Sequence, residues 1–203
     1  MPLSFTIHQD ALFVIYDVDE NRPLATGFCF IKPEWVVTAK HVVQDMGLSR
    51  SNLSLLSFSS TPVSASTIFV HEHYDLAVLR INGRSPCDVP LFPGYEEYTG
   101  GKGLVCCGYA PSRRRSDEQP YPVLTSHVLT YDREERIRDH GDESLIVFDH
   151  PDMELGHSGG PVFGEGGGVV AVLIDCMRPS DGVVRARATS ILSLLEFLTF
   201  EAS

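Results

Sequence analysis

Apolar residues in this chain come in short runs closed by turn-forming residues. The runs fall at residues 12–16, 27–31, 35–38, 53–58, 67–70, 76–81, 103–108, 123–129, 144–148, 161–163, 169–174 and 183–188. They are rich in Val, Ile, Leu and Phe, and most are too short for a helix. Runs of this length and spacing predict the strands of an all-β sandwich or barrel, not βαβ units. The pattern lapses over residues 82–101, which hold Pro86, Pro90 and Pro93 together with Gly83, Gly94, Gly100 and Gly101. Such a stretch reads as a linker between two halves. It changes again after Thr189, where "SILSLLEFL" carries apolar side chains at helical spacing with no turn residue. That predicts one C-terminal helix, capped by Thr189 or Ser190 and lying on the second half.

Composition narrows the possible partners. The chain has 203 residues, is 43% hydrophobic, and carries a formal net charge of −11. Its length suits one domain or two small subdomains with a real core. The acidic balance argues against nucleic acid as partner, because phosphate binding needs a basic face. The one dense basic run, Arg113-Arg114-Arg115, lies between Pro111 and Pro120 and reads as a solvated loop tip. No stretch is long and apolar enough to span a membrane, and the N-terminus has no basic leader segment. The cysteines number five, two of them adjacent, with no CxxC pair. That suits buried free thiols in a reducing, cytosolic setting better than disulfides or a zinc site. No cofactor or metal is expected.

The candidate chemistry starts from "ELGHSGGPVF", residues 154–163. A serine hydroxyl is a weak nucleophile. It needs a base, a group to orient that base, and N–H donors for the developing oxyanion. Ser158 is the candidate nucleophile, with the N–H groups of Gly156 and Ser158 as oxyanion donors, while Gly159 and Gly160 give the turn room. The candidate base is His41, in a turn after the run ending at Thr38. The candidate orienting acid is Asp75, directly before the apolar run Leu76-Ala77-Val78-Leu79. An unpaired carboxylate there would be costly, and an imidazole N–H is a suitable partner. His71 and His73 flank Asp75 and compete with His41 for the role of base.

The blocks "TAKHVV", "YDLAVLRI" and "GHSGGPVF" resemble the three signature blocks of trypsin-like serine peptidases of the chymotrypsin fold. Their order, His then Asp then Ser, matches that fold and not the subtilisin or α/β-hydrolase orders. The resemblance extends through "ATGFCFIKPEWVVTAKHVV" and "GGGVVAVLI" to nearly the whole chain, and is nearest to the bacterial, HtrA-like branch without a PDZ domain. It implies a single peptidase domain over residues 1–203, built as two perpendicular six-stranded antiparallel barrels with a C-terminal helix. The first barrel would span about residues 5–82, the linker 83–101, the second barrel 102–189 and the helix 190–199. The implied activity is serine endopeptidase, with a polypeptide substrate and an acyl-enzyme on Ser158.

The chain also departs from secreted members of the family. They place an aspartate before the serine to receive a cleaved N-terminus, and here that residue is His157. Activation of that type is excluded, so the site is either preformed or ordered by a regulatory protein partner. Ile174 falls near the position where secreted members hold a serine against the catalytic aspartate. For the S1 pocket, Asp152 stands six residues before Ser158, at the spacing of trypsin's own pocket carboxylate. Asp175, at the end of the following strand, is a second candidate. A carboxylate at either position favours Arg or Lys before the cut. The alternative to an enzyme is a catalytically inactive trypsin-like binding module.

Overall fold

The computed structural model describes residues 7–17, 22–44, 53–57, 62–94, 104–116, 119–137, 143–149, 156–177 and 185–201. After a short 3-10 turn, Gln9–Ala11, six strands follow: β1 Leu12–Asp17, β2 Arg22–Phe30, β3 Lys32–Thr38, β4 Leu53–Ser57, β5 Pro62–Val70 and β6 Ala77–Ile81, with helix α1, Lys40–Gln44, between β3 and β4. They close a barrel in the order β1-β2-β3-β6-β5-β4. Six more, β7 Leu104–Ser116, β8 Gln119–Ile137, β9 Glu143–Asp149, β10 Pro161–Phe163, β11 Val169–Met177 and β12 Arg185–Ser190, close a second barrel in the order β10-β11-β12-β9-β8-β7. The chain is thus an all-β, chymotrypsin-like double barrel.

Side-chain alternation explains how one sequence serves two cores. Successive residues of a strand face opposite sides. On β7, Leu104 and Cys106 enter the interior cluster of the second barrel. Val105, Cys107 and Tyr109 join the larger cluster that also holds Phe13, Phe28 and Leu79 of the first barrel. The adjacent cysteines therefore serve different cores, and burial pushes the Cys106 thiol up to about 12. None of the five cysteines is in a disulfide. On β1, Leu12, Phe13, Val14 and Ile15 are all buried, so this strand is a continuous apolar run and not an alternating one.

The observed strands outrun their apolar signals where backbone pairing continues without apolar side chains. β8 is predicted from residues 123–129 but pairs with β9 as far as Ile137↔Glu143, and with β7 as far as Ser116↔Gln119. Residues 113–115 consequently lie within β7, near the end of a long hairpin, and are not a loop tip. The run at residues 27–31 ends one residue early. Ile31 adopts φ 63° and turns the chain into β3, and its N–H donates to the Leu91 carbonyl.

The stretch predicted as a linker runs from one barrel to the other. Leu91 bridges Phe30 of β2, and Pro93 bridges Val169 of β11. Residues 95–101 of that prediction lie outside the described residues. Helix α2, Leu192–Glu201, begins beyond Thr189, which is buried in β12. Ser190 Oγ accepts the Leu192 N–H at 3.3 Å, and Ile191, Leu194 and Leu198 enter the larger cluster. Full burial of each such side chain contributes about 1.5–3 kcal/mol.

Candidate active site

The pairing of β3 with β6 decides where the first two candidates meet. The strands are antiparallel with Thr38 opposite Ala77, so the residues after Thr38 lie beside those before Ala77. That brings His41 to Asp75. The Asp75 carboxylate accepts twice from the histidine: the main-chain N–H of His41 reaches Oδ1 at 2.8 Å, and Nδ1 reaches Oδ2 at 2.7 Å. Burial pushes the Asp75 carboxyl up. The side-chain and main-chain hydrogen bonds of His41, its charge, and Lys40 outweigh that and hold it below the ordinary aspartate value. An ionised carboxylate only accepts, so Nδ1 of His41 carries a proton, and in the neutral ring the lone pair is then on Nε2. The Asp75 side chain is 18% exposed and that of His41 31%.

The flanking histidines have other placements. His71 Nδ1 accepts the main-chain N–H groups of His73 and Tyr74, both at 3.1 Å, which commits that ring to the turn leading into Asp75. Lys40 Nζ donates to the carbonyls of His71 and Glu72 at 3.2 and 3.4 Å, tying the same turn to α1. The His73 side chain is 59% exposed, beside Glu72.

Ser158 arrives from the second barrel, and backbone contacts seat it. Its carbonyl accepts the Thr26 N–H of β2 at 2.9 Å. Thr26 Oγ1 donates to the Gly156 carbonyl at 2.7 Å and accepts the Tyr109 N–H at 2.9 Å. Thr38 Oγ1 donates to the Thr26 carbonyl at 2.9 Å. The next residue, Gly159, adopts φ 80°. A Cβ there would stand 2.2 Å from both Thr26 O and Thr38 Oγ1, and 3.1 Å from Ala39 N. Only glycine lets the serine loop lie this close to the strand end that carries His41. The Gly159 and Gly160 N–H groups are committed to the carbonyls of Leu173 and His157, at 2.7 and 2.9 Å.

Asp152 lies outside the described residues. Asp175 stands opposite Arg187 in the β11–β12 register and forms a two-point ion pair with it, Nε to Oδ1 at 2.7 Å and Nη2 to Oδ2. Among the described residues, no group of three or more His, Cys, Asp or Glu is placed to hold a metal ion, and no helix is long and apolar enough to cross a membrane. A groove of about 630 Å³ contains none of the candidate site residues. It is lined by Pro33, Ile68, Arg80 and Cys87 among others.

The sequence model described as "Trypsin-like peptidase domain" matches residues 25–172, a stretch that contains His41, Asp75 and Ser158. The chain belongs to the trypsin-like peptidase family. It is therefore a serine peptidase, a hydrolase acting on polypeptide. Among curated protein sequences, none matches it. Solved structures similar to this peptidase include the Rv3671c protease of M. tuberculosis in its inactive form, with TM-score 0.71 and 20% identity over 94% of this chain and 88% of that one. The MamO protease domain of Magnetospirillum magneticum gives TM-score 0.69 and 16% identity over 93% and 96%. The HtrA-type protease AlgW with a decapeptide gives 0.69 and 15% over 94% and 64%. At these identities the likeness speaks for the fold.

Sequence reasoning missed Thr26, Thr38 and also Thr125, whose Oγ1 lies 2.7 Å from His157 Nε2. A threonine inside an apolar strand run carries no signal of its own. Their roles follow from which strands are neighbours. His157 was visible as a departure from the family pattern, but its contacts were not.

Proposed function

We propose that the peptidase is an endopeptidase working by a Ser158–His41–Asp75 triad. The observation that carries this reading is the double acceptance by Asp75, which turns Nε2 of His41 into a base. Ser158 Oγ attacks the scissile carbonyl and His41 Nε2 takes its proton. The N–H groups of Gly156 and Ser158 receive the oxyanion, and the proton then passes to the leaving amine. Water hydrolyses the Ser158 acyl-enzyme by the same route in reverse. The Ile174 side chain has no hydroxyl to support Asp75, and the main-chain N–H of His41 supplies a donor instead. A reducing compartment suits five cysteines outside any disulfide.

The proposed preference at the residue before the cut is Arg or Lys, through Asp152. Asp175 already has Arg187 as its cation, which favours Asp152 for this role. A guanidinium gains charge-assisted bonds with a pocket carboxylate, and a neutral side chain leaves it unpaired at a cost of about 1–3 kcal/mol. Fluorogenic peptides varied at that residue should show about tenfold to a hundredfold preference for Arg and Lys. Asp152→Ser should erase it and Asp175→Ser should not. A preference for small or aromatic residues would remove Asp152 from the pocket.

A serine-directed fluorophosphonate tests the triad itself. The isolated protein should be labelled, and Ser158→Ala should not. A wild type that is neither labelled nor able to cleave casein would instead be an inactive binding module, or one needing a protein partner to order it.

A further inference from the structure

The peptide unit between His157 and Ser158 carries one of the two oxyanion donors assigned above, so whatever holds that unit in place controls the reaction. We propose that His157 is the positioning residue that locks it, through a hydrogen-bond relay from the imidazole to Thr125 and on to the Gly108 carbonyl. This rests on the triad reading of Ser158.

The relay has a defined direction. Thr125 Oγ1 lies 3.2 Å from the Gly108 carbonyl oxygen and 2.7 Å from His157 Nε2. A carbonyl only accepts, so the single hydroxyl proton goes to Gly108. The contact with His157 must then be donated by the ring, and Nε2 carries hydrogen. His157 is 1% exposed. Its ring stacks edge-on to His127, with centroids 5.2 Å apart. Gly108 and Thr125 are opposite each other in the β7–β8 register. A Cβ on Gly108 would stand 2.7 Å from His157 Cδ2 and 3.0 Å from its Cα, so glycine there makes room for the ring.

The ring anchors one end of the peptide unit and Gly160 fixes its rotation. The His157 carbonyl accepts the Gly160 N–H at 2.9 Å. Because the peptide is planar and trans, a carbonyl held toward Gly160 sends the Ser158 N–H the opposite way. The anchor lies wholly within the second barrel, on β7, β8 and the loop itself. It occupies the position where secreted members of the family receive a cleaved N-terminus, and it needs no cleavage.

The test compares His157→Leu and Thr125→Val, which remove the relay, with His157→Gln and Thr125→Ser, which restore a donor and a hydroxyl. Removal should lower kcat and the fluorophosphonate labelling rate by about 10- to 100-fold. That is less than the roughly 10²–10³ for outright loss of an oxyanion donor. KM should stay close to wild type, while Tm falls by a few degrees because each change leaves a buried group without its partner. The restoring variants should recover most of the lost rate. Combining His157→Leu with Thr125→Val should cost no more than the worse single change, since both break one chain. Wild-type kcat in Thr125→Val would overturn the inference, and so would a loss confined to Tm or KM. Long-range ¹H–¹⁵N spectra of Ser158→Ala give a readout independent of catalysis. They should place the His157 proton on Nε2, and a neutral ring protonated at Nδ1 would refute the relay. If wild type is not labelled at all, the isolated protein has no working triad and the triad reading fails for it. If wild type is labelled through Ser158 and Thr125→Val is unaffected, only the relay fails.

Discussion

The two halves of the site are held by different physics. In the first barrel, His41 and Asp75 sit on neighbouring strand ends and grip each other through an ionised carboxylate. In the second, Ser158 is seated by main-chain carbonyls, threonine hydroxyls and two close-packed glycines. A charged pair needs two side chains of the right type and one strand register. A backbone cradle needs several strands in place at once, with almost no constraint on the serine's own chemistry. The first half should therefore respond to substitution mostly in rate. The second should respond in both rate and stability, because its contacts also join the barrels.

Substituting the reacting groups gives the largest effect on either side. Ser158→Ala and His41→Ala should each lower kcat on the order of 10⁶-fold with little change in Tm, since the members act as a unit. His73→Ala should leave the rate near wild type. Equal losses at His73 and His41 would move the base. Asp75→Asn should cost about 10⁴-fold in kcat at nearly unchanged KM, because an amide favours the wrong imidazole tautomer.

Thr26→Val probes the contrast from the other direction. It leaves the Gly156 carbonyl and the Tyr109 N–H without their partner, at about 1–3 kcal/mol for each buried group. Calorimetry should show a Tm several degrees lower, together with slower phosphonate labelling of Ser158. A Tm equal to wild type would mean the barrels do not depend on this seat.

The smallest effect is in the acid limb of stability. The folded-state pKa of Asp75 is depressed, so its contribution is present above the unfolded value of about 3.9 and is lost as pH falls through the folded value. The Tm difference between wild type and Asp75→Asn should narrow steadily below about pH 4. A difference that persists at the lowest pH would show that the pair does not stabilise through its charge.

The sequence by itself determined the fold class, because short apolar runs bounded by turn residues already state strand number and spacing. It also named His41 and Asp75 as candidates, because each sits beside the end or start of a run, and Ser158, because glycines surround it. Strand extent was less legible. β8 continues to Ile137 through backbone hydrogen bonds that leave no mark on side-chain polarity. Only the tertiary structure decided what surrounds the candidates. Whether His41 or His71 faces Asp75 depends on the register Thr38↔Ala77. Whether Asp175 is free or paired depends on Arg187 across β11 and β12. Thr26 meets Gly156 across 130 residues, and Thr125 meets His157 across 32. Contacts between residues so far apart follow from barrel closure and from the docking of one barrel on the other, which local periodicity does not encode.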